Sequence, residues 1–298
     1  MEDTKVIARV YDKKAARKDK RRKFLRLMFG RKIVVIAAVV VLIFILTSIF
    51  AGIISPYDPD EASLYESNQP PSAAHLLGTD NLGRDTLSRL FYGGRVSILV
   101  GVFATFVAAA VGVVLGMTAA FFGGWVDVII MRLCESIMAI PSIVLSMSLI
   151  TIFGSGLVNM AVILGVSCVP LFVRMMRAET LSVKQSDYIK ACQTQGANDY
   201  YIMFRHILPN AISPIIVMMT QMVGGMILME SGLSYLGVGL KIPTASWGTM
   251  ISDGKTYITA NPAMAFAPGI CIALLVVCLN VLGDGIRDAM DPRLRGEL

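Results

Sequence analysis

Six apolar stretches, each read as a membrane span, decide what this chain can fold into. They run over 33–54, 96–122, 128–153, 157–176, 211–229 and 267–282. The first, Ile33 to Ile54, has no charged residue. At about 1.5 Å of rise per residue it is about 33 Å long, enough for a hydrocarbon core of roughly 30 Å. Its apolar length and large basic leader fit an uncleaved span rather than a signal peptide. In lipid every backbone polar group must be satisfied within the chain, and helices do this segment by segment. The sequence therefore predicts an all-α, polytopic membrane protein with six transmembrane helices. Composition agrees: 55% of residues are hydrophobic and 16% charged, against roughly 45–50% and about 25% in a soluble domain.

The polar segments set the topology. Residues 1–32 form a basic tail that includes Lys13, Lys14, Arg17, Lys18, Lys20, Arg21, Arg22 and Lys23. Such a tail is retained on the cytoplasmic side and lies near anionic headgroups, which accounts for it without nucleic acid. Six spans bring both termini to that side. Segment 55–95, with six acids against three arginines, is then external. Residues 96–290 form a five-helix core, 186–210 lies within it as a cytoplasmic loop, and 291–298 is a cytoplasmic tail. Pro141 is expected to break the third span, with a kink there.

Several chemistries find little support. The middles of the spans are bare of ionisable groups, which argues against an ion-coupled secondary transporter or channel. Arg132 with Glu135, Arg174 with Arg177, and Glu230 sit near span ends, where long charged side chains reach the interface. Arg132 and Glu135, three apart, can pair. His75, Asp80 and Asp85 share a turn-rich loop, where capping explains them better than catalysis. No phosphate-binding Gly-rich loop ends in Lys-Ser/Thr, and no nucleophile–base pair suggests an intramembrane enzyme. The five cysteines and two histidines have no metal-ligand spacing and suggest no disulfide framework. Gly101, Ala104, Ala108, Gly112 and Gly116 repeat at three- or four-residue steps. Such a stripe lets helices approach closely, either inside one bundle, the reading preferred here, or across a dimer face.

The loop at 186–210, SDYIKACQTQGANDYYIMFRHILPN, is a polar interruption dense in punctuation. The Ser186 hydroxyl is expected to cap a first short helix. Gly196 is expected to end it in left-handed geometry. Asn198 is expected to cap a second helix, Asp199 to His206, which Pro209 closes or hands on to a new helix. The result is a compact helix–Gly–helix knob outside the membrane.

This knob resembles the cytoplasmic coupling loop of ABC importer permeases, whose motif is Glu-Ala-Ala, three residues, Gly, nine residues, Ile, one residue, Leu-Pro. Here Ala191, Gly196, Leu208 and Pro209 match in register, while Lys190, Cys192 and His206 replace the Glu, the second Ala and the Ile. Three other stretches are similar to C-type permeases of dipeptide, oligopeptide and nickel importers: His75 to Asp85, Gly232 to Gly239 with Pro243, Trp247 and Gly248, and Asn280 to Asp288 followed by Asp291-Pro292-Arg293. The resemblance covers the chain from about Ile33. It implies a type I importer permease in a prokaryotic plasma (inner) membrane, surrounded by lipid and non-catalytic, with no cofactor and no nucleic acid. It implies a second permease subunit, two cytoplasmic ATPase subunits that dock on the coupling knobs, and an external solute-binding protein. Tyr188 and Ile189 would give apolar contact to the ATPase, Ala191 and Gly196 would allow close approach, and Lys190, Cys192, Ala197, His206, Leu208 and Pro209 complete the coupling set. The substrate would be a di- or oligopeptide, with nickel or a metal chelate as the alternative.

Overall fold

The computed structural model describes residues 24–241 and 243–290. Most of the basic tail, the 291–298 tail and the Asp291-Pro292-Arg293 stretch lie outside the described residues. Among the described residues all long elements are helical: α1 (Lys32–Ile49), α2 (Thr86–Phe122), α3 (Gly124–Met138), α4 (Ser142–Phe153), α5 (Leu157–Lys184), α6 (Asp187–Thr194), α7 (Leu208–Tyr235), α8 (Trp247–Gly254) and α9 (Ala263–Met290). Among the described residues five helices are long and apolar enough to cross a membrane, and the α3–α4 pair makes six if taken as one bent span.

The helices end where local chemistry stops them, which moves several expected boundaries. The first span breaks at Phe50 and adds one turn, Ala51–Ile54. The second helix begins at Thr86, ten residues before the apolar run, because Asp85 caps it by accepting from the Ser88 amide at 2.7 Å. The third span is broken at Pro141: α3 and α4 meet at 87°. Pro141 cannot donate to the ladder and disfavours helical geometry at Ile140. The fifth span starts within the knob, for reasons given below.

The α2 stripe packs inside the chain, as preferred. Gly101 faces Val223 and Ile227 of α7, while Gly112 and Gly116 lie against the backbone of α5. The main apolar cluster joins α2, α4, α5, α7 and the knob around Met117, Phe172, Ile189, Ile207 and Ile215. A second gathers α1, α8 and α9 around Trp247.

Two polar assemblies brace the ends. In the 75–85 stretch His75 Nδ1 lies 2.9 Å from Asp85 Oδ1. Asp80 accepts from the Leu82 and Arg84 amides and from Arg84 Nε. These are structural roles, as the loop chemistry suggested. At the knob end Arg177 holds Asp127 through two 2.6 Å hydrogen bonds, and Lys184 Nζ donates to the Phe121 carbonyl at 2.5 Å, closing the C-terminus of α2. Arg132 and Glu135 pair at 2.9 Å on an exposed face. Asp85→Ala removes the cap and strands His75, and it is expected to cost about 2–4 kcal/mol. Faster amide exchange at the first turn of α2, together with a lower melting temperature, would register it.

Candidate functional site

The knob is built by the residues expected to build it, with three differences. Gly196 follows α6 at φ +75°. Its amide bonds the Gln193 carbonyl at 3.0 Å, and the Ala197 amide bonds the Cys192 carbonyl at 3.1 Å. This double closure is the Schellman arrangement, in which an apolar contact accompanies the turn. Cys192 and Ala197, both half-buried, pack against the main apolar cluster. A modest thiol fits there as alanine would. Asn198 then caps the next turn, accepting from the Tyr200 amide at 2.9 Å.

The first difference concerns Ser186. It occupies the N-cap position of α6, but its hydroxyl makes no cap bond and donates backward to the Val183 carbonyl at 2.6 Å. A serine hydroxyl in this setting can satisfy the preceding turn instead of the following one. The second difference is the end of the knob. Asp199–Tyr201 runs through a π-helical turn, Ile202–Ile207, directly into α7. Pro209 neither stops this helix nor starts a separate one. The widened turn accommodates a ring that would otherwise crowd the carbonyl four residues earlier. The knob is therefore continuous with the fifth span, and a displacement of one is carried by the other.

The third difference reassigns Ile189. It is fully buried inside the main cluster, so it anchors the knob and has no surface for a partner. The outward face is aromatic instead: Tyr188, Tyr200, Tyr201 and Phe204 are 45–68% exposed. Sequence reading passed over the last three, although four aromatics in a polar loop are a readable signal. Tyr201 and Tyr188 flank the half-buried His206 at 5.3 and 6.5 Å between ring centres. Asn210 Nδ2 bonds the His206 carbonyl at 2.7 Å and the Tyr188 hydroxyl at 3.3 Å. Lys190 is exposed, with Asp187 3.7 Å away. Ala191 and Pro209 are exposed and Leu208 is half-buried. Arg177 and Lys184 are committed to Asp127 and Phe121, so the exposed cations Lys190 and Arg205 remain on this face.

At the other end of α7, Glu230 departs from expectation most. It does not reach the interface; it is fully buried. Ser234 and Ser246 donate to its Oε1 at 2.9 Å each, and Ser97 donates to Oε2 at 3.0 Å. Ser97 in turn accepts from the Trp247 amide at 3.1 Å. One carboxyl group thus joins α2, α7 and the N-terminus of α8.

A helical bundle of five or six spans, crossed by a knob that runs into a span, is the architecture of an importer permease. Residues 112–296 match the family of binding-protein-dependent transport system inner membrane components, and the chain belongs to that family. Residues 21–71 match the N-terminal transmembrane domain of oligopeptide transport permease C, which makes the chain a C-type permease of the peptide, oligopeptide and nickel branch. It is similar to the glutathione transport system permease protein GsiD of Pectobacterium atrosepticum, 39% identical over 275 residues covering 92% of this chain and 91% of the relative. GsiD of Escherichia coli O157:H7 is 38% identical over 261 residues, covering 87% and 86%. The fold is similar to that of a chain in inward-facing structures of the MetNI methionine ABC transporter, with TM-score 0.50 and 20% identity over 69% of this chain and 93% of that one. The chain is thus a multi-pass inner-membrane subunit of a bacterial ABC importer. It is non-catalytic, and separate subunits hydrolyse ATP. Membership implies a partner permease, ATPase subunits and a solute-binding protein.

Proposed function

We propose that the chain forms half of the pathway by which an ATP-driven importer takes up a small peptide of the glutathione class, and that the 186–210 knob is where a cytoplasmic ATPase subunit drives it. The observation that carries the coupling reading is the continuity of an exposed aromatic knob with α7. Both termini lie in the cytoplasm on this reading, and the binding protein meets the opposite end. ATP-driven closure of the ATPase pair moves the knob. The π-helical turn transmits that motion to α7, and the pathway changes between outward- and inward-open states. Tyr188, Lys190 and Ala191 face the ATPase from the first helix, with Tyr200 and Phe204 from the second and Pro209 at the edge. Gly196 sets the angle between the helices. Cys192, Ala197, His206 and Leu208 support that surface from behind, and Ile189 fixes it to the bundle. The glutathione relatives support the substrate class: glutathione is a tripeptide, within the range of peptides expected from the sequence.

Gly196→Val tests the coupling. A β-branched residue at φ +75° is strained by roughly 1–2 kcal/mol. Nothing else lies within 4 Å of an added Cβ, so the strain acts on the knob's angle alone. The purified variant should still assemble with its partner permease, while co-purifying ATPase and substrate-stimulated ATP turnover fall several-fold. Normal stimulation in this variant would refute the proposed docking geometry.

A further inference from the structure

The end of the bundle away from the knob contains a cleft of about 690 Å³, within the roughly 300–1,000 Å³ usual for small-ligand sites. It lies where the turn after α4 meets the end of α7, the loop that follows it, and α8. Its polar walls come from Thr151, Ser155, Lys241, Thr249, Ser252 and Asp253. Asp80, Asp85 and Glu230, the deeply buried acids in this half among the described residues, are all held by hydrogen bonds. Asp253 is different. It is half-buried, yet no described residue donates a hydrogen bond to it or pairs with it. Arg89, the cation facing it from α2, is engaged by the Pro59 carbonyl at 3.0 Å and by Asp80 and Asp60 at 3.5 and 3.6 Å. Lys255 lies over the Tyr235 ring and donates to the Tyr235 carbonyl, and its charge reaches Asp253 only as a weak field. Burial pushes the Asp253 carboxyl above the usual range, and the field of Arg89 and Arg84 partly opposes this. Lys241 is exposed and forms no ion pair with any described residue.

A carboxylate and an ammonium that no described residue pairs, on the walls of one cleft that also carry hydroxyls, are complementary to a solute that carries both charges. We propose that this cleft is a receiving site for a small zwitterionic peptide, with Asp253 taking its free ammonium group and Lys241 its carboxylate. An arriving ammonium would offset the cost of burying the Asp253 charge, since a buried charge is tolerated when paired. The inference rests on the peptide reading above and adds a binding site inside the permease to it.

The test uses the assembled importer in proteoliposomes with its ATPase subunits and binding protein, and S-methylglutathione as probe. With Ser252→Cys in the cleft, the probe should slow maleimide modification of residue 252 at least fivefold, read by mass spectrometry. Adding Asp253→Asn should abolish that protection. In the chain without the cysteine, Asp253→Asn should cut uptake about tenfold while the loaded binding protein still stimulates ATP turnover. Asp253→Glu should restore part of the uptake. Unchanged labelling with the probe present, or full protection and uptake in Asp253→Asn, overturns the site. So does a variant that loses ATP stimulation and assembly together, because that marks a purely structural role. If the native complex imports no free-amine peptide at all, the substrate reading falls first and takes this inference with it. If it does import one and the cleft does not respond, only this inference fails.

Discussion

Replacing Gly112 by valine is expected to prevent the chain from accumulating as a folded, monodisperse protein. A Cβ at this position would lie 2.4 Å from the Phe172 Cβ and 3.1 Å from the Val169 carbonyl oxygen. One turn on, a Cβ at Gly116 would lie 2.5 Å from the Val173 oxygen and 3.0 Å from the Met176 Cβ. From the other side, a Cβ at Gly165 would meet the Ala104 oxygen at 2.7 Å. The obstacles are mostly backbone or the first side-chain carbon, so no rotamer change relieves them. Helices α2 and α5 would have to separate. In a bilayer, helices associate through close packing rather than through the hydrophobic effect, so separation removes the force that holds them. Overpacking of an ordinary core costs about 1–3 kcal/mol; a valine against backbone belongs at or above the top of that range. Size-exclusion chromatography and thermal unfolding in detergent would read the effect. Gly112→Ala should be milder, and Val102→Ala, on an exposed face of the same helix, should be close to native. A monodisperse Gly112→Val protein that melts like the parent would contradict the contact.

The architecture was readable from sequence because hydropathy and helix punctuation are local. Each apolar run became a helix or a broken pair, and Gly196 and Asn198 made the turn their chemistry allows. The boundaries were less readable. Hydropathy marks where lipid ends, while caps and turns mark where a helix ends. At Thr86 the two differ by ten residues because Asp85, not the first valine, begins the helix. The site residues that escaped are those defined by distant partners. Ile189 looks like any apolar residue in a loop until the turn at 202–207 folds over it. Arg177 looks like a snorkelling cation until Asp127, fifty positions earlier, meets it. Glu230 ends an apolar run, as an interfacial charge does. Of its three serine partners only Ser234 stands at a helical spacing from it. Ser97 and Ser246 are brought by the fold.

Glu230→Ala is expected to loosen the attachment of α8 and, with it, the cleft above. The carboxyl group collects three hydroxyls from three elements, and the Ser97 hydroxyl passes the connection to the Trp247 amide. Trp247 is 2% exposed and its indole N–H bonds the Leu90 carbonyl at 3.0 Å, so α8 is held by its N-terminus and by this ring together. Removing the acid leaves buried hydroxyls without an acceptor, each costing about 1–3 kcal/mol, and a void where the side chain stood. It also removes the cost of burying the carboxyl group itself. The two act in opposite directions, and a net loss of about 2–4 kcal/mol follows. Glu230→Gln separates the contributions. The amide oxygen still accepts from Ser234 and Ser246, and the Ser97 hydroxyl can turn to accept from the new N–H while the Trp247 amide keeps its other lone pair. The Gln variant keeps two of the three hydroxyl contacts and fills the same volume, so it should lose less stability than the Ala variant, which should melt earliest and exchange its 246–254 amides fastest. Ser234 and Thr249 line the cleft, so uptake should fall with the same ranking. Equal exchange at 246–254 in the parent and the alanine variant would mean that α8 is held by Trp247 and not by this carboxyl group.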